Sequence, residues 1–253
     1  MRLKEQTAII TGAASGIGAS AACRLANEGA NVVLVDINSC SKTIESIRQL
    51  QPDANVLECL GDIRDPEFVK AAVARASDTF GELHILVNNA GTCGRVGIKD
   101  MVLDVWDRDL DTNVKATFLF IQSVVYPHML EQQYGRIINI SSISGINGGA
   151  VSGEDGKHNR SGPAYAASKG AVIALTKWVA KELGPMGITC NSVAPGATET
   201  AITANVAYDL KRQVIKRMGT PDDIAEAINY FALPESGYTT GQVLRVDGGY
   251  NFG

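Results

Sequence analysis

Histidine is scarce in this sequence: the three present, His84, His128 and His158, stand far apart with no partner at metal-ligand spacing, so no catalytic metal is expected. Cysteine is sparse and unpaired in pattern. Cys23, Cys40, Cys59, Cys93 and Cys190 are odd in number and scattered, which argues against a disulfide framework or zinc knuckle and suits a reducing, cytoplasmic compartment. An excess of basic charge is also missing. The formal net charge is −4, which removes the electrostatic basis for binding nucleic acid or an anionic membrane surface. No apolar run approaches the ~20 residues of a membrane-spanning helix. Met1–Gln6 lead straight into Ala8–Ile10 without the apolar stretch of an export signal. The expected partner is a small molecule, with no nucleic acid and no membrane.

What the chain does contain is a hydrophobic fraction of 45% over 253 residues, enough to bury a substantial core. Short β-branched runs alternate with longer amphipathic stretches, the pattern of parallel strands joined by crossover helices. Strands are expected at Thr7–Thr11, Asn31–Asp36, Asn55–Leu60, Ile85–Asn88, Arg136–Ser141, Thr189–Val193 and Val243–Val246. Helical spacing is clearest over Gly18–Asn27, Pro66–Phe80, Val105–Leu130, Pro163–Leu183 and Pro221–Phe231. The reading is an α/β fold of Rossmann type, a doubly wound seven-stranded parallel sheet with helices on both faces, occupying residues 1–253 as one domain. Two stretches break the rhythm. Gly148–Gly162 is polar and glycine-rich, a long surface loop suited to covering a site, and Pro195–Asp209 is aperiodic.

Thr11–Gly18 reads TGAASGIG, between an apolar strand and the start of a helix. Gly12, Gly16 and Gly18 permit a tight turn and close backbone approach, so that helix amides and the positive end of the helix dipole meet a pyrophosphate. Asp36 closes the second strand about twenty residues beyond, where a carboxylate accepts hydrogen bonds from an adenosine ribose. The same charge repels a 2′-phosphate, and the glycine loop carries no Arg or Lys to compensate. NAD is therefore the expected cofactor.

Tyr165 and Lys169 lie four residues apart in a helix that Pro163 opens, and share one face. A free phenol, with a pKa near ~10, is a poor base at neutral pH, but an adjacent ammonium favours phenolate. Tyr165 can then exchange a proton with an alcohol or ketone while hydride passes to or from nicotinamide. Ser142, at the end of the strand IINISS, is positioned to bind the substrate oxygen, with Ser141 and Ser144 as neighbouring alternatives. Cys93 follows NNAG and reads as a small packed residue near the pocket.

Together, TGAASGIG, Asp36, NNAG (Asn88–Gly91), IINISS, Tyr-Ala-Ala-Ser-Lys, the Pro195–Gly196 turn and the C-terminal VDGG resemble the short-chain dehydrogenase/reductase family over nearly the whole chain. The resemblance implies a tetrad of Asn113, Ser142, Tyr165 and Lys169, in which Lys169 also holds the nicotinamide ribose and Asn113 steadies a proton relay through water. It implies contacts to the cofactor from Ser15 and Ile17 in the glycine loop, Asp62 and Ile63 near adenine, Asn89 and Gly91 on the adenosine side, and Pro195, Gly196, Thr198 and Thr200 beside the carboxamide. It further implies a homotetramer. Two features depart from the family's pattern: a longer interval between Ser142 and Tyr165, and Thr198 where an apolar residue is common. The expected activity is an NAD-dependent secondary alcohol dehydrogenase or ketone reductase. The alternatives are an NADPH-dependent 3-oxoacyl-[acyl-carrier-protein] reductase and a catalytically silent NAD-binding protein.

Overall fold

In a computed structural model, residues 1–149, 161–204, 206, 208 and 210–252 are described. Most of the Gly148–Gly162 loop lies outside the described residues, as do three positions of the Pro195–Asp209 stretch. Seven strands form one parallel sheet: β1 (Thr7–Thr11), β2 (Asn31–Asp36), β3 (Val56–Leu60), β4 (Ile85–Asn88), β5 (Gly135–Ile140), β6 (Ile188–Pro195) and β7 (Val243–Val246). They lie in the order β3-β2-β1-β4-β5-β6-β7. The chain runs outward from β1 to β3, then returns to place β4 on the other side of β1. That reversal is the topological switch point of a doubly wound sheet, where the loops diverge at the strands' C-terminal ends and leave a crevice.

Burial explains why the strand signal is strong. Every residue of β1, β4, β5 and β6 is buried, whereas the edge strands β3 and β7 are only partly covered. Along β1, Ala8 and Ile10 face one core layer and Ile9 the other. The first layer packs beneath α1 (Gly16–Asn27), α2 (Ser41–Leu50) and the late helix Pro221–Ala232, with Leu25, Ile47, Ile228 and Phe231 inside. The second packs beneath α3 (Pro66–Phe80) and two further helices, with Val73, Phe120 and Val179 inside. Each such side chain stabilises the fold by about 1.5–3 kcal/mol.

The expected helix over Val105–Leu130 is divided. It comprises α4 (Leu103–Leu110), a wide π-helical turn at Asp111–Lys115, α5 (Ala116–Val124), a break at Tyr126, and the short α6 (Leu130–Gln132). Pro127 accounts for the break: its ring pushes the preceding residue out of the helical region, and Tyr126 has φ −108° and ψ 110°. Helices α2 and α7 (Ser144–Asn147) did not stand out in the sequence. In α2 Ile44, Ile47 and Leu50 do recur at helical spacing, but only Thr43 and Ile47 are buried, and α7 has four residues, too few for a periodicity. Helix α8 spans Pro163–Leu183, as expected from its proline start. The last helix, α9 (Pro221–Ala232), opens with a capping box between Thr220 and Asp223. None of the helices among the described residues is long and apolar enough to cross a membrane.

Candidate active site

The turn after β1 shapes one end of a cleft of about 450 Å³. Gly12 has φ +69°, and a Cβ there would lie 2.8 Å from the Ala90 Cα. A Cβ on Gly18 would lie 2.1 Å from the Gly12 carbonyl oxygen, so glycine at 18 is what lets α1 seat against the turn. Ser15 precedes α1 in extended conformation, its side chain caps no amide, and the first turn carries no acidic residue. The positive end of the helix dipole thus faces the cleft. Thr11 joins this turn to the one after β4: its Oγ1 accepts from Asn89 N at 3.0 Å and Ala90 N at 3.1 Å. Asn89 Nδ2 returns a bond to the Thr11 carbonyl at 3.0 Å.

Beside this turn stands Asp36. Its Oδ2 accepts from Ala14 N at 3.0 Å and its Oδ1 from Asn38 N at 2.8 Å, which fixes the carboxylate between the glycine turn and the end of β2. Asp62 and Ile63 line the same end, and so does Arg64, a cation the sequence reading did not include. Its guanidinium is engaged by Asp62 at 2.6–3.0 Å, and this pairing holds the Asp62 carboxyl below its usual range.

At the end nearer α8, Tyr165, Lys169 and Ser142 come together. Ser142 and Tyr165 both line the cleft and the smaller cavity that adjoins it, and Ser144 N donates to Ser142 Oγ at 3.1 Å. Ser141 is employed elsewhere: its Oγ donates to Val193 O at 3.2 Å and accepts from Ser192 at 2.6 Å. Lys169 is buried, and its Nζ donates to the Ile140 carbonyl at 2.8 Å while lying 5.8 Å from the centre of the Tyr165 ring. Burial lowers its pKa to about 8. The ammonium was expected to favour phenolate, but burial wins at Tyr165. The phenol is pushed well above its ordinary value, against weaker lowering by the Ser142 hydrogen bond and the Arg95 charge.

Of the residues named from the sequence, Gly12, Ser15, Gly16, Ile17, Asp36, Asp62, Ile63, Asn89, Gly91, Ser142, Tyr165, Lys169, Pro195, Gly196, Thr198 and Thr200 all line the cleft, whereas Gly18 and Asn113 do not. Asn113 sits behind the wall in the π-helical turn. Its Nδ2 donates to Thr92 O at 2.9 Å and Ser168 Oγ at 2.8 Å, and its Oδ1 accepts from Thr92 N at 2.8 Å. The Thr198 hydroxyl turns back onto Gly196 O at 3.2 Å. A second cavity of about 130 Å³ adjoins the cleft through Ser142, Tyr165 and Gly196, and reaches Cys93, Tyr208 and Tyr250. Cys93 therefore lines a cavity, and burial raises its thiol pKa.

Residues 12–251 match the family profile described as enoyl-(acyl carrier protein) reductase. The chain is 37% identical over 259 residues to a 3-oxoacyl-[acyl-carrier-protein] reductase of Thermotoga maritima, covering 98% of this chain and 99% of that one. It is 39% identical over 249 residues to a 3-alpha-(or 20-beta)-hydroxysteroid dehydrogenase of Mycobacterium bovis, covering 98% and 90%. Among solved structures, levodione reductase superposes with a TM-score of 0.87 at 29% identity, covering 98% of both chains. A protein of Agrobacterium tumefaciens with bound NADP, provisionally assigned as a 2-deoxy-d-gluconate 3-dehydrogenase, superposes with a TM-score of 0.86 at 32% identity, covering 98% and 97%. With this sheet, cleft and set of relatives, the chain belongs to the short-chain dehydrogenase/reductase family. It is an oxidoreductase of the kind that binds a nicotinamide cofactor.

Proposed function

We propose that this chain moves a hydride between NAD(H) and a small secondary alcohol/ketone pair, with Ser142, Tyr165 and Lys169 as the reacting machinery and Asn113 supporting it. The observation that carries the reading is the convergence of Tyr165 and Ser142 on one cleft beside the buried Lys169, whose Nζ lies 5.8 Å from the centre of the Tyr165 ring. The opposite end of the same cleft is a glycine cradle whose Gly12 and Gly18 have no room for a side chain. That cradle fits a dinucleotide: backbone from Gly12 to Ile17 suits the pyrophosphate, Asp36 the ribose, Asp62 and Ile63 the adenine. Asn89, Gly91 and the Pro195–Thr200 segment then lie along the remaining length, with Lys169 at the second ribose.

When bound, the cofactor supplies the hydride donor or acceptor. The protein's own part is to orient the substrate oxygen and move one proton. Ser142 Oγ binds the substrate oxygen, and the Tyr165 hydroxyl gives or takes the proton. A phenol that burial keeps protonated is suited to giving it, which is the step ketone reduction requires. Lys169, tied to Ile140 O, holds positive charge beneath the ring.

Asp36 supports NAD as the nucleotide, because a fixed carboxylate opposes a 2′-phosphate, and the nearby Arg64 is already paired with Asp62. A second reading is an NADPH-dependent 3-oxoacyl-[acyl-carrier-protein] reductase. The relatives from Thermotoga maritima and Staphylococcus aureus, at 37% and 38% identity, favour it over the first, and the Agrobacterium neighbour holds NADP. The family resemblance also supports a homotetramer, for which Leu103, Phe118 and Trp178 provide exposed apolar surface on α4, α5 and α8.

One experiment separates these readings. Secondary alcohols, ketones and a 3-oxoacyl thioester are screened with NAD(H) and NADP(H), following the absorbance of reduced nicotinamide. Turnover of free alcohols or ketones with NAD(H) supports the first reading. Preference for the thioester with NADPH supports the second. Cofactor binding without turnover of any substrate in the panel would overturn both in favour of a silent nucleotide-binding protein.

A further inference from the structure

Asp109, on α4 one helical turn before Asn113, has 0% exposure and lies outside both cavities. Burying a carboxylate is costly unless donors surround it, and here they do. Thr92 Oγ1 donates to Oδ1 at 2.8 Å, Gly94 N donates to Oδ2 at 2.6 Å, and Arg108 reaches Oδ1 at 3.3 Å. Asn113 grips the same segment through both the N–H and the carbonyl of Thr92. One face of α4 and its π-helical continuation therefore holds Thr92 by backbone and side chain, and Gly94 by its amide. The fit is close, since a Cβ on Gly94 would lie 2.4 Å from Val105 Cγ1 and 3.1 Å from Asp109 Oδ2.

This segment forms part of the wall of the reacting site. Gly91 and Thr92 line the cleft and Cys93 lines the second cavity. A Cβ on Gly91 would lie 3.0 Å from Asn113 Oδ1 and 3.4 Å from Lys169 Nζ, so the backbone there runs directly past the ammonium. We propose that Asp109 is a positioning residue of the proton-transfer site: it fixes Thr92–Gly94 against α4 and stands as a buried negative charge behind Lys169. The inference rests on the hydride-transfer reading for its kinetic consequence, but its structural content does not.

The electrostatic part follows from what surrounds Lys169. Burial drives its pKa down, while Cys93 from the loop after β4, in its thiolate form, and the Asp109 carboxylate from α4 act in the opposite direction. Tyr165 is on its own helix, and Arg108 lies on the outer side of Asp109 with its side chain 42% exposed. Removing the Asp109 charge therefore lowers the Lys169 pKa, and the ammonium is lost at lower pH.

The test is Asp109→Asn, which keeps the shape and removes the charge. Three readouts are expected to move. The Gly94 amide exchanges its hydrogen faster. The Lys169 Nζ pKa, followed by NMR on protein labelled at lysine, falls by roughly half a unit or more. In the turnover assay, kcat falls roughly tenfold or more, while KM for the cofactor changes little and the alkaline limit moves to lower pH. Unchanged Gly94 exchange together with an unchanged Lys169 pKa would overturn the proposal, whatever happens to activity. If the wild-type protein turns over nothing, the hydride-transfer reading fails, and the first two readouts still decide the role of Asp109. Should Asp109→Asn not fold, Thr92→Val removes only the contact to Oδ1. Faster Gly94 exchange in that variant supports the latch, and unchanged exchange counts against it.

Discussion

Tyr165, in the first turn of α8, and Ser142, just beyond β5, line the same two cavities. The phenol and the serine hydroxyl thus converge on the place a substrate oxygen would occupy, while burial keeps the phenol protonated. Replacing Tyr165 by Phe removes the proton and leaves the ring's packing. Turnover should fall by roughly a thousandfold or more. Cofactor affinity, measured by quenching or enhancement of nicotinamide fluorescence, should stay within about a factor of three, since the hydroxyl contributes little to dinucleotide binding. A Tyr165→Phe enzyme with near wild-type turnover would remove Tyr165 from the mechanism.

Lys169 should impose a stability cost that depends on pH in a definite direction. Its pKa falls from 10.5 to about 8 because burial disfavours the ammonium. Below about pH 8 the side chain is charged in both folded and unfolded chains, and the folded chain carries the full burial cost. Between about 8 and 10.5 the folded protein has released the proton while the unfolded chain retains it, so stability from this group rises with pH across that window. Lys169→Met should therefore abolish turnover yet be more stable than wild type near neutral pH, with the gap shrinking toward the upper end of the window. Urea unfolding at several pH values measures this directly. A gap that widens with pH would contradict the argument.

How far these features could be read from the chain depends on how each is encoded. The bounds of β1, β2, β4, α3 and α8 agree with the sequence reading because β-branched runs buried on both sides and prolines at helix starts are local signals, and those of β7 agree although it is only partly covered. The division between α4 and α5 was not legible, since apolar spacing continues through Asp111–Lys115 while the backbone widens there. The choice among Ser141, Ser142 and Ser144 was open in the sequence. Long-range contacts separate them: Ser141 turns to β6, and Ser142 turns to Tyr165. Arg64 was missed because its relation to Asp36 arises only when the ends of β2 and β3 lie side by side. Asp109 did not stand out in the sequence, and only its burial against Thr92 and Gly94 sets it apart.

Asp36 should govern nucleotide choice. Asp36→Ala removes the anion that opposes a 2′-phosphate and leaves Ala14 N without its acceptor. The ratio of kcat/KM for NAD over NADP should fall by roughly tenfold or more, through both weaker NAD binding and improved NADP use. The additional Arg64→Ala substitution should then reduce NADP use, because Arg64, paired with Asp62, still places a guanidinium at that end of the cleft and no longer faces an opposing Asp36 carboxylate beside the 2′-phosphate. An unchanged NAD/NADP ratio in Asp36→Ala would show that the carboxylate does not face the ribose.

Gly18 lines neither of the two cavities of the site, yet it should be among the least replaceable residues in the cradle. Glycine inside a helix ordinarily costs about 0.5–1 kcal/mol relative to alanine, so a Gly→Ala change in open space is stabilising. Gly97, extended at φ −72° and ψ 171° where any residue can sit, has nothing beyond its chain neighbours within 4 Å of an added Cβ and serves as the open-space control. At Gly18 the Cβ would sit 2.1 Å from Gly12 O and 2.6 Å from Asn89 Nδ2. To make room, either α1 must withdraw from the turn or the Gly12 peptide must move, and both disturb the site where a pyrophosphate would bind. Gly18→Ala should therefore lose about 1–3 kcal/mol of stability and weaken dinucleotide binding by roughly tenfold or more. Gly97→Ala should be neutral or slightly stabilising, with binding unchanged. Calorimetric titration and thermal unfolding of the two variants give the comparison. Equal behaviour would mean that α1 relaxes away from the turn at no cost, and that its contact with Gly12 does not shape the cradle.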